Sequence, residues 1–389
     1  MTAYMNTDTR IRIFVHLARG FGRTAWKQRW DRGEIVGINH DDPYGYRQAE
    51  SMGCVVEQSE DQPESSVSRW LRLAVRAVLG FDLIHAWRNR RPMFAADVVW
   101  THTESQALAV LLIRQCNPGV AKRVKVLAQT VWLIDSWESY SPLRRAFYRI
   151  LIRNADVLTF HSPSAVARAR ELFPSVQVEL VKYGIRADQS LAVIDRAEHA
   201  PIRLLAMGND RHRDWPTLIA AIRNRPGYLA KLVTEAKIDG LLKDVENAVL
   251  ERSSTSDELL ALLNWADCVI VPLMDNYHAS GLTVIQEAVL CGIPVICTDA
   301  GGLHSYFSPD EMTYVPLKDP SAIHGAIDGL FADADARRSK ASRALMRMKE
   351  GDVNSRSFVA RHVELSKRLL RVRAAELARE RLSMAGGPR

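Results

Sequence analysis

One short segment of the chain combines backbone and side chains that could hold a nucleotide. Ser280 and Gly281 follow a predicted strand that ends at Leu273 and precede a predicted helix that begins near Leu282. Exposed backbone N–H groups at a helix start, beside a residue without a side chain, favour a phosphate. Glu287 lies within the helix, where one carboxylate could accept hydrogen bonds from both hydroxyls of a ribose. Each feature alone is typical of an ordinary strand–loop–helix, but their order and spacing together favour a nucleotide site.

The sequence EAVLCGIPVICTDAGG, residues 287–302, resembles the donor-binding signature of glycosyltransferase family 4 and its relatives in the GT-B class. In that family a Gly-rich loop leads into a helix with a Glu, and a Pro-Val strand and a Gly-Gly turn follow. The resemblance implies that Glu287 binds the ribose of a nucleotide-sugar donor. It also implies contacts to the donor diphosphate or sugar, through backbone and hydroxyl groups, from Ser280, Gly281, Leu282 and Thr283.

A second segment, MGNDRHRDWPTLIAAI at residues 207–222, resembles the part of that family that clamps the donor diphosphate. The family carries an Arg and a Lys there, ahead of a Leu-Ile helix. Arg213 stands at the position of the Lys and Asn209 at the position of the Arg, and Arg211 could supply the missing charge. Guanidinium groups make bidentate contacts to phosphate oxygens, so the chemistry is preserved in kind. The alternative interpretation is a solvated basic turn before a helix.

Two departures from the family concern the donor sugar and the acceptor. Ala279 replaces the family's first Glu, which contacts the donor sugar, so His278 becomes the candidate for that contact. The His that the family places after a first-domain strand has no counterpart in residues 123–141. The nearest ionisable group is Asp135, with Glu138 as runner-up, and a carboxylate there could be the general base if the reaction inverts the anomeric centre. A helix N-cap or a solvated loop carboxylate is an equally open interpretation of Asp135.

Short apolar strands alternate with helices twice along the chain. IRIFVHL (11–17) opens the first series, and IRLLAMG (202–208) restarts it. Such alternation is typical of parallel sheets covered by helices on both faces. It predicts an α/β protein of two Rossmann-like domains that face each other across a cleft, which the GT-B resemblance also implies. Ligands are then expected beyond the carboxyl ends of the strands.

The predicted domain boundaries follow this alternation. The chain has 389 residues, enough for two such cores. The segments predicted are an acceptor-binding domain over 1–186, a linker over 187–201, a nucleotide-sugar-binding domain over 202–356, a closing helix over 357–381 that returns to the first domain, and a disordered tail over 382–389.

The charge distribution is uneven and excludes some classes of protein. Residues 1–186 carry 26 Lys and Arg against 18 Asp and Glu, residues 187–336 carry 11 against 22, and residues 337–389 carry 15 against 5. Basic surface suits nucleic acid, anionic lipid or a phosphorylated substrate. No nucleic-acid-binding motif is apparent, so nucleic acid is not an expected partner. Five scattered cysteines without a CxxC pair, and no apparent secretory signal, favour a reducing cytoplasm.

The loop at residues 17–30 is the candidate acceptor-binding segment of the first domain. It combines Gly20 and Gly22 with cations such as Arg23. The glycines allow a tight approach, and the cations suit an acceptor that bears phosphate. The other interpretation is a solvated basic loop.

Two basic amphipathic segments of the first domain predict membrane contact. The first, residues 66–91, begins with a predicted helix over 66–86 whose arginines Arg69, Arg72 and Arg76 lie opposite an apolar stripe. Residues 141–153 repeat the pattern. Such helices can lie in a membrane interface, although packing of the apolar stripe on the sheet is an equal alternative. The stripe consists of Trp70, Leu71, Ala74, Val75, Val78 and Leu79.

These inferences predict hexosyl or glucuronosyl transfer from a nucleotide-diphosphate sugar to a membrane-associated, polyprenyl-diphosphate-linked saccharide in polysaccharide biosynthesis. The protein would act peripherally on the inner face of the cytoplasmic membrane. No cofactor is expected, because the nucleotide sugar is a substrate, and no metal, because no DxD triplet lies on a loop at the end of a strand. The alternatives are another GT-B nucleotide-sugar enzyme, such as an epimerase, and a non-catalytic GT-B scaffold.

Overall fold

The chain forms two parallel α/β sheets of six strands each, one in each half of the sequence. A computed structural model describes residues 10–188, 200–253 and 255–385, with side chains described as far as residue 375. Most of the predicted linker and the end of the predicted tail, residues 386–389, lie outside the described residues. The two sheets confirm the predicted α/β class with two Rossmann-like domains.

The first sheet has the strand order β2-β1-β3-β4-β5-β6, and all neighbouring strands run parallel. Its strands are β1 (Ile11–His16), β2 (Cys54–Gln58), β3 (Val98–Thr101), β4 (Lys125–Gln129), β5 (Val157–Phe160) and β6 (Val178–Leu180). The helices of this half are α1 (Arg23–Asp31), α2 (Ser66–Leu79), α3 (Leu83–Arg88), α4 (Arg90–Ala95), α5 (Glu104–Gln115), α6 (Pro118–Ala121), α7 (Leu133–Ser136), α8 (Pro142–Ile152) and α9 (Pro163–Leu172).

The second sheet has the order β12-β11-β10-β7-β8-β9 and is also parallel throughout. Its strands are β7 (Ile202–Met207), β8 (Tyr228–Val233), β9 (Ala248–Glu251), β10 (Cys268–Val271), β11 (Val295–Thr298) and β12 (Thr313–Val315). The helices of this half are α10 (Trp215–Ile222), α11 (Ser256–Trp265), α12 (Leu282–Leu290), α13 (Pro320–Ala332), α14 (Ala334–Glu350) and α15 (Ser355–Ala385).

Both sheets are buried on their two faces, which explains the apolar runs of their strands. Every residue of β3, β5, β10 and β11 is buried. Helices cover parallel strands on both sides, so such strands read as continuous Val, Ile and Leu rather than as alternating residues. In each sheet the strand order reverses next to the first strand, between β1 and β3 and between β7 and β10. Crevices for ligands form at such switch points, beyond the carboxyl ends of the strands.

The last helix, α15, lies against the first sheet. Phe358 and Val363 are buried in the same cluster as Ile13 and Trp100, and the Trp100 indole N–H donates to Ser366 Oγ at 2.9 Å. The helix begins two residues before the predicted closing helix and continues to Ala385. Residues 382–385 are therefore helical, where a disordered tail was predicted.

The single helix predicted over residues 66–86 is wrong, because the chain forms two helices there. Gly80 has φ 84° and ends α2 in the left-handed conformation that glycine adopts without strain. Asp82 then caps α3 by accepting a hydrogen bond from the His85 N–H at 3.0 Å. The prediction also missed β2, because the polar Glu57 and Gln58 at the end of this edge strand break the continuous apolar run that marks the buried strands.

The apolar stripe of α2 faces solvent, and one of its arginines faces inward. Trp70 is 73% exposed, whereas Arg72 is buried and bonds to Glu64 at 2.9 Å and to Asp82 at 2.7 Å. The neighbouring helix α8 contacts the end of α2 through a bond from Tyr148 Oη to the Leu79 carbonyl. We call these exposed side chains the apolar outer face: Val67, Trp70, Leu71 and Val78 of α2 with Leu143 and Ile150 of α8. Within the described part of the chain, no helix has the length and hydropathy needed to cross a membrane.

Candidate functional site

A cavity of about 440 Å³ lies between the two sheets, beyond the carboxyl ends of β7 and β10 on one side and of β3, β4 and β5 on the other. It therefore lies at the crevice where the strand order of the second sheet reverses. The second half of the chain lines it with Gly208, Asn209, Asp210, Arg213, His278, Ala279, Ser280, Gly281, Leu282, Thr283 and Val284. The first half contributes Tyr44, His102, Thr103, Val131, Trp132, His161 and Tyr183.

The start of α12 lines this cavity with four of the predicted donor-binding residues: Ser280, Gly281, Leu282 and Thr283. Gly281 has φ 82°, and a Cβ there would lie 2.5 Å from the Val271 side chain, so no larger residue fits this turn. The N–H of Ser280 donates to Asn276 Oδ1 at 3.1 Å, which holds the loop before the helix. The helix start thus offers backbone N–H groups to an anion in the cavity.

Arg213 is buried beside this helix start. Its Nε donates to the Met207 carbonyl and its Nη1 to Ser280 Oγ, both at 3.0 Å. Burial lowers the pKa of Arg213, and the nearby Asp210 opposes that effect. Gly208 packs against the guanidinium, which would overlap any Cβ at that position. Among the described residues no carboxylate forms a salt bridge with Arg213, so an anionic ligand would be its direct counter-ion.

The other two residues of the predicted clamp lie differently. Asn209 lines the cavity, but its Oδ1 accepts hydrogen bonds from Thr234 Oγ1 at 3.1 Å and from the Glu235 N–H at 2.7 Å. Asn209 therefore fixes the loop after β8. Arg211 is exposed and donates to Ser136 Oγ of the first domain at 3.2 Å. The structure does not bring Arg211 to Arg213 or into the lining of the cavity.

His278 joins the two domains. Its Nδ1 lies 2.9 Å from Asp135 Oδ2 in the first domain, and its Nε2 lies 2.7 Å from Asp210 Oδ2 in the second. Burial alone would lower the pKa of His278, but the hydrogen bonds to the two carboxylates outweigh it and raise the pKa to about 8. Burial likewise opposes ionisation of Asp210, and bonds from His278 and His212 reverse this and lower its pKa. His278 is therefore a protonated imidazolium at neutral pH, with one ring nitrogen at each domain.

The two predicted catalytic carboxylates occupy different environments. The Asp135 side chain is 3% exposed, and its Oδ1 accepts a hydrogen bond from the Tyr277 N–H at 2.8 Å. Glu138 is 68% exposed, pairs with Arg145 at 2.8 Å, and lies outside the cavity. The structure brings Asp135 to the junction of the domains and leaves Glu138 on the surface.

The same cluster offers ligands for a metal ion. Asp210, His212 and His278 each present one ligand atom, and these atoms lie within 4.8 Å of one another. Imidazole and carboxylate ligands of this kind suit a first-row divalent cation. Metal independence therefore stays a prediction from the sequence.

Glu287 is buried behind the helix start and is covered by a first-domain loop. Its Oε1 accepts a hydrogen bond from the Ile38 N–H at 3.2 Å, and a Cβ at Gly37 would overlap it. Ser256 holds the same loop by donating to the Ile35 carbonyl at 3.0 Å. Burial raises the pKa of Glu287 to about 7, because the Ile38 bond compensates only partly for lost solvation. Glu287 does not line the cavity in this arrangement.

The predicted acceptor residues lie outside the cavity. The Gly20 N–H donates to Asp61 Oδ2 at 2.9 Å, Gly22 packs against the Ser59 carbonyl, and Arg23 is exposed. The residues just before them do line a separate cavity in the first domain.

The sequence interpretation missed the aromatic and imidazole groups that the first domain presents to the cavity. His102 follows β3 directly, stacks on Tyr44 with 3.7 Å between ring centroids, and lies 2.9 Å from Tyr46 Oη. Burial lowers the pKa of His102 to about 3 and that of His161 to about 4, so both rings are neutral. The signal available was a polar THT run immediately after a buried strand.

Comparisons with known proteins agree with this geometry. Residues 188–345 match the family model described as glycosyl transferases group 1. No curated protein sequence matches the chain. The chain is therefore a glycosyltransferase of the GT-B fold whose second domain carries the group 1 sequence. Family 4 itself stays a prediction.

Solved structures share the whole fold at low sequence identity. Sucrose-phosphate synthase (tll1590) from Thermosynechococcus elongatus is 17% identical with a TM-score of 0.70, over 93% of this chain and 100% of that chain. Anabaena Alr3699/HepE, solved with UDP and glucose, is 15% identical with a TM-score of 0.60, over 92% and 99%. A glycosyltransferase from Rickettsia africae ESF-5 is 13% identical with a TM-score of 0.59, over 93% and 99%.

The buried carboxyl of Glu287 predicts a measurable dependence of stability on pH. Its pKa is about 7 in the folded chain against an ordinary 4.5, so the folded state holds the proton to higher pH and stability falls as the pH rises from 4.5 through 7. We expect Glu287→Gln to exceed the wild type in free energy of unfolding by on the order of 3 kcal/mol at pH 8 and by little at pH 4.5. Urea unfolding at both pH values measures this. Glu364→Gln, at a 62% exposed side chain, is the control and should show no such gain. Equal stability of Glu287→Gln and wild type at pH 8 would contradict the assignment.

Proposed function

We propose that this GT-B glycosyltransferase moves a hexosyl or glucuronosyl residue from a nucleoside diphosphate sugar to a polyprenyl-diphosphate-linked saccharide. The enzyme would act peripherally on the inner face of the cytoplasmic membrane, in polysaccharide assembly. The observation that carries the donor half is the buried Arg213 beside the N-terminus of α12 in the interdomain cavity. The solved HepE complexes contain UDP, glucose and UDP-glucose, which suggests a uridine nucleotide as the first donor to test.

The donor diphosphate would bind between Arg213 and the first N–H groups of α12. A guanidinium and aligned backbone dipoles both favour the charge that builds on a departing diphosphate. This arrangement stabilises the leaving group through groups of the chain itself.

Glu287 would take the ribose after the loop at residues 35–38 shifts. In the structure the carboxylate has one N–H donor, from Ile38, although it is 5% exposed and has a pKa of about 7. A ribose would bring two hydroxyl donors, and satisfying a buried acceptor in this way is favourable. The loop would then cover the nucleotide instead of the bare carboxylate.

The donor sugar would meet His278 and Asp210, near the position where the resembling family has its first Glu. Asp210 would accept a hydrogen bond from a sugar hydroxyl, and His278, whose two ring nitrogens lie at Asp135 and Asp210, would hold that carboxylate in place. Asp135 would complete the site as the group that takes the acceptor proton, because it approaches the donor side from the first domain. Trp132, three residues before it, lines the cavity.

The membrane half of the proposal rests on the apolar outer face. Val67, Trp70 and Leu143 are 80%, 73% and 82% exposed, an unusual grouping for a surface without a partner. Removing such side chains from water contributes roughly 1.5–3 kcal/mol each. Exposed arginines nearby, Arg69 of α2 and Arg153 at the end of α8, add on the order of 1 kcal/mol each near anionic lipid. The chemistry of this face therefore suits a bilayer with anionic headgroups.

Donor binding tests the first half of the proposal. We expect calorimetry with UDP-, GDP- and ADP-sugars to select one donor, and Arg213→Gln to weaken it by on the order of 10- to 100-fold, because charged hydrogen bonds to phosphate are lost. Arg211→Gln is the matched control and should change the Kd less than about threefold. Thermal unfolding checks that Arg213→Gln is folded. If no donor binds the wild type, the scaffold alternative stands; if the bound donor's sugar is epimerised and no sugar is transferred, the epimerase alternative stands.

Asp135→Asn tests the proposed proton acceptor against Glu138→Gln. Because a general base contributes about 10²- to 10⁴-fold, we expect the turnover of Asp135→Asn to fall at least 100-fold while its donor Kd stays within about threefold. Glu138→Gln should remain close to wild type. The nucleoside diphosphate that is released when the sugar is transferred to polyprenyl-diphosphate-linked glucose, or to water, measures the turnover of both variants. Unchanged turnover in Asp135→Asn rejects its role.

Vesicle binding tests the apolar outer face. We expect the wild type to co-sediment with phosphatidylglycerol vesicles more strongly than with phosphatidylcholine vesicles, and increasingly weakly as salt is added. The double variant Trp70→Ser/Leu143→Ser should bind at least about tenfold more weakly, because two large apolar side chains are lost. Met346→Ser, 56% exposed on α14, is the control. Undiminished binding by the double variant, or a dimer in ultracentrifugation that this variant abolishes, would show that the face does not meet lipid.

A further inference from the structure

A second cavity, of about 340 Å³, lies wholly within the first domain beyond the carboxyl ends of β1 and β3. It occupies the crevice where the strand order of the first sheet reverses. Its lining includes His16, His85, Glu104 and Trp132. Thr103 and Trp132 line both this cavity and the interdomain cavity, so the two are neighbours along the first sheet. We call it the first-domain cavity.

Two buried imidazoles in this cavity have an unused ring nitrogen. His16 and His85 are each 1% exposed, and their rings lie 5.3 Å apart. Within the part of the chain that the structure describes, the Nδ1 atoms of both lack a hydrogen-bond partner. Both atoms are covered by neighbouring side chains in this arrangement. A buried polar atom without a partner costs about 1–3 kcal/mol, which a ligand that enters as these side chains shift would recover.

The hydrogen bond that His85 already makes determines which kind of hydrogen-bond partner its Nδ1 can accept. Its Nε2 lies 3.2 Å from the Leu17 carbonyl, which can only accept, so Nε2 carries the hydrogen. Burial lowers the pKa of His85 and, further, that of His16, so both rings are neutral. In a neutral imidazole with hydrogen on Nε2, Nδ1 is an acceptor only. Its ligand must therefore bring a hydrogen-bond donor, such as a hydroxyl, and not a phosphate oxygen.

The other walls suit a ring that carries hydroxyls. The Glu104 carboxylate is an additional acceptor, and it is held in place by the N–H groups of Val131 at 3.1 Å and Trp132 at 3.2 Å. The Trp132 side chain is 41% exposed and offers an aromatic surface between the two cavities. Arg19 and Arg76 also line the cavity and are donors, so the lining sets donors and acceptors around one aromatic side chain, as a ring that carries hydroxyls requires.

We propose that the first-domain cavity binds the terminal sugar ring of the acceptor, with His85 Nδ1 accepting a hydrogen bond from one of its hydroxyls. The acceptor site is thereby assigned to His16, His85, Glu104 and Trp132, in place of the loop residues Gly20, Gly22 and Arg23. This inference rests on the proposed glycosyl transfer. It places the acceptor sugar across Trp132 from the donor and beside α2, whose Arg76 and Gly80 also line the cavity.

Two variants of His85 separate sugar binding from a structural role. In His85→Gln the side-chain amide can still donate to the Leu17 carbonyl, but no acceptor remains at the Nδ1 position. In His85→Asn the amide oxygen replaces the Nδ1 acceptor, and the bond to Leu17 is lost. A sugar-binding role predicts that the Gln variant is the weaker binder, whereas a purely structural role predicts that the Asn variant is the more damaged.

Saturation-transfer NMR with the methyl glycosides of glucose, galactose, mannose and glucuronic acid measures the binding. We expect at least one glycoside to bind the wild type, His85→Asn to retain it, and His85→Gln to bind it about tenfold more weakly. Absence of binding by all four glycosides to the wild type overturns the inference, and so does equal binding by His85→Gln and wild type. Because the wild-type measurement alone can overturn the inference, the test holds even if a variant does not fold.

The donor Kd, measured on the same samples, separates this inference from the proposed function. It should be unchanged in both variants. Donor binding without glycoside binding rejects only the first-domain cavity as the acceptor site. Glycoside binding without donor binding supports the cavity and rejects the proposed transfer.

Discussion

The shape of the cleft depends on one imidazole that lies between carboxylates of both domains. His278 reaches Asp135 of the first domain and Asp210 of the second, while the adjacent Tyr277 N–H donates to the same Asp135. Charge-assisted bonds of this kind are stronger than neutral ones, especially where water is excluded. They position the loop between β10 and α12, and hence Ser280 at the start of α12, relative to the first sheet.

Two buried ionisable groups of the cleft lack, among the described residues, the ion pairs that buried charges usually have. Arg213 is 6% exposed and Glu287 is 5% exposed, yet neither forms a salt bridge with any described residue. Burying a charge without a partner is costly, and natural chains accept such a cost mainly where function requires it. One group would meet the phosphates of a donor and the other its ribose, so a single ligand could satisfy both.

The first domain places its two specialised surfaces side by side. Arg76 and Gly80 of α2 line the first-domain cavity, while Trp70 and Val78 of the same helix belong to the apolar outer face. Arg72 anchors the helix inward through Glu64 and Asp82, and this leaves the apolar side free. A lipid-linked saccharide could thus enter from the membrane side and reach the donor past Trp132.

The sequence by itself determined that there are two parallel sheets, with their buried strands, and the start of α12. Buried strands and helices have local periodicities, and the run from Ser280 to Glu287 is a local pattern, so both can be read without knowledge of the fold. Tertiary structure alone decided which side of α2 faces solvent. The amphipathic pattern shows that the helix has an apolar and a basic face, but it does not show which of the two packs on the protein. Tertiary structure also brought Asp135 to His278, across 143 residues, and Ile38 to Glu287, across 249. It paired His16 with His85 and moved Arg211 away from Arg213. Such contacts depend on how distant segments are placed by the sheet topology, and no local pattern in one sequence encodes that placement.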